Sequence, residues 1–148
     1  MQTTGHELTL RQIQLATLKI LKQIIQICED QGLTYYLAYG SLIGAVRHHG
    51  FIPWDDDLDI CMPRPDFNKF LAYFDDESHD TGTLRAIHNK PGHLLPFLIA
   101  RISDTAYREI GSSVMRFPKW APSLMYILWM ESVTIPRLRK SKRRWSTI

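Results

Sequence analysis

Cysteine is scarce in this 148-residue chain: Cys28 and Cys61 are the only two, far apart and without metal-ligand spacing. That excludes a zinc ribbon or a disulfide-built scaffold and predicts reduced thiols in a cytosolic protein, a disulfide being the lesser alternative. Long apolar runs are missing too. The longest, over 121–130, is about half the ~20 residues that a membrane span needs. The N-terminus is mostly polar, with Glu7 where a secretory leader would be apolar, so no signal peptide is predicted. A soluble cytoplasmic protein is the resulting expectation. Internal repeats and low-complexity tracts are absent. Acidic residues run out as well, since only Glu109 and Glu131 follow Thr105.

Apolar residues make up 45% of the chain, enough for the core of one ordinary domain, and charged residues make up 22%. The net charge of +3 hides an asymmetry. Up to Thr105 there are nine Lys and Arg against 13 Asp and Glu; from Ala106 onward there are nine against two. A basic tail of this kind is either a solvated end or a contact for anions. Phosphates and lipid headgroups fit, as a peripheral contact at the inner face of the membrane; nucleic acid is not the expected partner.

Periodicity predicts a helix over 10–31, with Thr9 and Gln12 at capping-box spacing, apolar Ile13, Ala16, Ile20, Ile24 and Ile27, and Gly32 as its stop. A tyrosine-rich strand is predicted over 34–38, then a turn at Gly40-Ser41 into a short helix over 42–48. A second strand is predicted over 57–62, a helix over 65–74 with Pro65 in its first turn, and further strands over 84–88 and 97–102. This order predicts an α/β (α+β) domain with a small mixed sheet flanked by helices, over 1–110. Beyond it, 111–148 holds three of the four tryptophans and a Lys/Arg run, and shows no clean periodicity over most of its length.

Chemistry concentrates in Tyr39-Gly40-Ser41 and in Trp54-Asp55-Asp56-Asp57-Leu58-Asp59-Ile60. In a strand, residues two apart share a face, so Asp55, Asp57 and Asp59 are predicted to project together while Leu58 and Ile60 point inward. Three like charges on one face repel unless a cation sits among them, and all-oxygen donors suit Mg²⁺ or Mn²⁺ with substrate phosphates. Gly40-Ser41, at a strand-to-helix turn, offers backbone amides and a hydroxyl to an anion, and Arg47 offers a bidentate clamp. Clustered aspartates alone are most often a solvated turn, but the surrounding Ile52, Trp54, Leu58 and Ile60 argue against a free loop. A calcium loop is disfavoured, because Ile60 stands where the EF-hand wants glycine and Asp66 where it wants glutamate. His48 and His49 read as helix-end caps rather than as ligands.

The run from Tyr39-Gly40-Ser41-Leu42-Ile43-Gly44-Ala45-Val46-Arg47 to Trp54-Asp55-Asp56-Asp57-Leu58-Asp59 resembles the LicD family of bacterial phosphocholine transferases, related to the fukutin-type sugar-phosphate transferases. The resemblance continues to Arg101-Ile102-Ser103-Asp104-Thr105. It implies a nucleotidyltransferase-type fold in which Gly40 and Ser41 bind the donor's phosphate and Asp57 and Asp59 coordinate Mg²⁺, with Asp55 joining the metal site by the same likeness. Arg47, from its place at the end of the short helix, is expected to offset the charge of the donor diphosphate. It further implies transfer of phosphocholine from CDP-choline to a cell-surface glycan, such as a teichoic acid or lipooligosaccharide precursor. The family also places a third carboxylate on a later strand. Here that region reads Ser112-Ser113-Val114-Met115-Arg116-Phe117-Pro118, so a truncated or frameshifted product after about residue 110 is expected. Two rival readings remain: an inactive remnant or nucleotide-binding module, and a glycosyltransferase with a metal-binding Asp-x-Asp.

Overall fold

The computed structural model describes residues 7–90, 99–107 and 125–130. Helix α1 (Leu10–Asp30) starts at a complete capping box: Thr9 Oγ1 accepts from the Gln12 amide, and the Gln12 side chain accepts from the Thr9 amide. Its buried stripe is Gln14, Ala16, Thr17, Ile20, Leu21, Ile24 and Cys28. Strand β1 (Tyr36–Leu37) leads into helix α2 (Tyr39–Arg47), and an irregular segment then reaches β2 (Asp59–Pro63). Helix α3 (Arg64–Asp75) follows without a break, with Pro65 in its first turn, where a missing N–H costs nothing. Strands β3 (Leu84–Ile87), β4 (Ala100–Asp104) and β5 (Met125–Met130) complete a five-stranded sheet of order β1-β2-β5-β4-β3.

The expected mixed α/β class is what the chain adopts. β2 and β5 are parallel; β1–β2, β3–β4 and β4–β5 are antiparallel. The core joins Ile20, Ile24 and Cys28 of α1 to Ile60 and Met62 of β2 and to Phe67 and Phe70 of α3. Leu84, Ile102 and Ile127 extend it across the sheet. Burial pushes the Cys28 thiol up to about 12, with the charges of Asp66 and Glu29 adding to the effect.

Three boundaries differ from the sequence reading in ways that matter. α2 begins at Tyr39, so Gly40 and Ser41 lie inside its first turn rather than in a loop before it. β2 begins at Asp59, so Asp55 and Asp57 precede the strand and do not share its alternation. Within the region read as a tail, Met125–Met130 forms β5 between β2 and β4, with Ile127 fully buried. A strand paired on both sides carries an unbroken apolar run, and such a run has no period to detect. The rest of 111–148 lies outside the described residues.

Candidate functional site

The site forms where α2 starts beside β2. The Ala38 amide donates to the Asp59 carbonyl at 2.9 Å, and Ser41 Oγ accepts from the Asp59 amide at 2.7 Å. The first turn of α2 is thereby tied to the first residue of β2. Ser41 is buried, and its hydroxyl proton stays free to donate. Ala38 gives α2 no side-chain cap, which leaves the first-turn amides for an anion. Tyr39 sits there with φ of +43°, a left-handed conformation that strains a bulky residue by about 1–3 kcal/mol.

Gly40 has a use that its sequence did not reveal. A Cβ at this position would lie 2.6 Å from Asp55 Oδ2, so only glycine lets that carboxylate lie against the first turn of α2. Gly44, one turn on, is as tightly placed: its Cβ would lie 2.5 Å from the Gly50 carbonyl oxygen. The Gly44 carbonyl accepts from the amides of His48 (2.9 Å) and Gly50 (3.3 Å). The two glycines seat the acidic segment directly on the helix.

Asp55, Asp56 and Asp57 each present a carboxylate oxygen within 4.8 Å of the others. Asp59, predicted as the third member, is not part of this tight group; Asp56 takes that place. Asp59 stands half-buried at the head of β2, within electrostatic reach. Burial, then the charges of Asp57 and Asp55, raises its pKa to about 6. Asp57 is raised by burial, by the charge of Asp55 and by a hydrogen bond shared with the Asp55 carboxyl. Among the described residues no ion pair reaches any of the four. Of the apolar residues expected to embed them, Leu58 and Ile60 are buried, whereas Trp54 is 77% exposed.

A cleft of about 250 Å³ opens beside the carboxylates. Gly40, Ser41, Asp55 and Asp57 line it together with Arg11 and Gln14 of α1 and with His48 and His49. Arg47 is exposed at the end of α2 and is not among the lining residues, so the cationic group brought to the cleft is Arg11, with the imidazoles of His48 and His49 beside it. His48 caps α2 as expected. Arg11 and Gln14 were missed. Their signal was present, since Gln14 opens the spacing 14, 17, 21, 24, 28 that α1 buries, and a polar residue at a core position needs a partner.

A mixed α/β domain that seats a carboxylate cluster against an uncapped helix start has the parts of a metal–phosphate binding class. The chain belongs to the LicD/FKTN/FKRP nucleotidyltransferase domain family, whose model matches residues 32–106. It is 46% identical over 74 residues to the lipopolysaccharide cholinephosphotransferase LicD of Haemophilus influenzae, a match covering 50% of this chain and 28% of that protein. It is 44% identical over 39 residues to the mouse ribitol 5-phosphate transferase FKRP, covering 26% of this chain and 8% of that one. An uncharacterised protein of Rickettsia typhi is 36% identical over 63 residues, covering 40% of this chain and 20% of its own length. The chain thus spans between about a twelfth and about a quarter of these relatives. Among the described residues no helix is long and apolar enough to cross a membrane.

Proposed function

We propose that this domain transfers a substituted phosphate group, phosphocholine, from a CDP-linked donor such as CDP-choline to a hydroxyl of a cell-surface glycan. The observation that carries the reading is the group of carboxylates packed on the start of α2, which no ion pair reaches among the described residues. Oxygen donors alone suit a hard divalent cation, Mg²⁺ or Mn²⁺. Asp55 and Asp57 would hold it, with Asp59 behind them and Asp56 at the rim. When bound, such a cation supplies positive charge to the donor's phosphates and to the leaving nucleotide. The amides of Gly40 and Ser41 face the donor diphosphate, Arg11 adds positive charge to the cleft wall, and His48 and His49 add ring nitrogens that can hydrogen-bond a phosphate. A carboxylate of the cluster takes the proton of the acceptor hydroxyl. In this reading the five-stranded sheet with its helices, β5 included, is the catalytic unit, working in the cytoplasm at the inner face of the membrane, where the basic residues after Ala106 meet anionic headgroups.

A second reading has one observation in its favour. β5, the strand alongside β2, contains no acidic residue, whereas the resemblance implies a third carboxylate on a later strand. Such a domain would bind metal and nucleotide without turnover. Incubation with Mg²⁺, CDP-choline and a lipooligosaccharide acceptor separates the readings. Release of CMP that depends on acceptor supports transfer, and nucleotide binding without release supports the second reading. Turnover of nucleotide sugars in preference to CDP-choline would point to a glycosyltransferase instead.

A further inference from the structure

We infer that Gln14 of α1 is a positioning residue for the acidic segment. Its side chain is 5% exposed, and its amide nitrogen has partners some 40 residues away along the chain. Nε2 donates to the Asp55 carbonyl at 2.9 Å and reaches the Ile52 carbonyl at 3.4 Å. Oε1 accepts from the Arg11 guanidinium at 3.3 Å. The Asp55 amide itself donates to the Ile52 carbonyl at 3.0 Å, so one buried amide bridges both ends of a tight turn. That turn is the irregular stretch between two fixed points: Gly44 holds its start, and Ser41 holds the amide of Asp59 at its end. Gln14 holds the middle. The position matters because Asp55 Oδ2 fits against Gly40 with no room for a methyl group. A shift of the Asp55 backbone would lift its carboxylate off α2 and spread the cluster. Helix α1 precedes the 32–106 stretch that the family model matches, so this support comes from outside the matched domain.

The consequence for metal binding rests on the cation-seat reading; the consequence for the backbone does not. Gln14→Met keeps length and apolar volume and removes the amide. Thr17→Val is the control, because Thr17 is fully buried one turn on and bonds only the Ile13 carbonyl of its own helix, at 2.9 Å. Hydrogen exchange of the intact chain should show the amides of 52–57 opening about tenfold faster in Gln14→Met, with α2 and β2 unchanged. Mn²⁺ affinity should fall about tenfold, as for lost support behind a metal ligand. Thr17→Val should leave both near wild type. Should Gln14→Met fail to fold, Gln14→Asn, one methylene too short to bridge, is expected to give the same pattern. Exchange over 52–57 within twofold of wild type, or an equal change in Thr17→Val, overturns the inference. A wild-type chain that binds no Mn²⁺ counts against the cation seat alone, and the exchange result still decides the role of Gln14.

Discussion

Two groups of carboxylates in this domain are treated in opposite ways. At the end of α3, Asp75 Oδ1 accepts from Lys90 Nζ at 2.6 Å and lies 3.1 Å from His88 Nε2. Partial burial works against ionisation there, but the hydrogen bonds from Lys90 and His88 outweigh it, and the Asp75 carboxyl sits below its ordinary value. At the start of β2, Asp57 and Asp59 are surrounded by other carboxylates and pushed upward. The first group stabilises the fold and is complete. Among the described residues no cation offsets the second, and raised carboxylates of that kind are what a cation-binding site would offer.

The comparison breaks first, and most severely, at Asp57. Asp57→Asn should lower acceptor-dependent CMP release by about 10²–10³-fold, the scale for losing one electrostatic contact at a reacting phosphate. Release rates of the variant and wild type at saturating CDP-choline measure it. Gly40→Ala comes next. The new methyl group would meet Asp55 Oδ2 and swing that half-exposed carboxylate off α2, so Mn²⁺ affinity should fall about tenfold or more with little change in stability. Titration calorimetry and urea unfolding read the two effects separately.

A third test uses pH, where the two groups predict opposite signs. The folded-state pKa of Asp59 is about 6 against an ordinary 3.8, so between these values the folded chain binds more protons than the unfolded one. The metal-free protein should therefore lose stability through Asp59 as pH rises across that window, and Asp59→Asn should raise its melting temperature at pH 7.5. Asp75, held below 3.8, contributes stability that is present above that value and is lost as pH falls through its lowered pKa. The smallest effect belongs to Asp75→Asn. Its side chain is 37% exposed, so the loss should be only about 0.2–1 kcal/mol, with Mn²⁺ binding unchanged.

Much of the fold was legible because local signals were strong. The Thr9–Gln12 box and the apolar stripe of α1 placed that helix to within a residue, and Pro65 marked the start of α3. The acidic motif was legible as chemistry but not as geometry. Alternation along an imagined strand grouped Asp55, Asp57 and Asp59, whereas the strand starts only at Asp59 and an irregular turn gathers Asp55, Asp56 and Asp57. Gly40 read as room for a phosphate at its amide, while the side where a Cβ would stand is filled by Asp55. That contact, like the Gln14 bonds to Ile52 and Asp55, joins residues 15 to 41 positions apart, and no local pattern encodes it. β5 escaped notice because its six residues are all apolar and so show no alternation.

In the proposed function the carboxylates beside α2 receive a divalent cation together with a nucleotide. The most direct test is calorimetric titration of Mn²⁺ into the chain at pH 7.5 with CDP-choline present, for wild type and for Asp57→Asn. Wild type should bind Mn²⁺ saturably, with affinity weakened about tenfold or more in Asp57→Asn and unaltered in Asp75→Asn. Equal Mn²⁺ affinity in wild type and Asp57→Asn, or no binding by either, would contradict that reading.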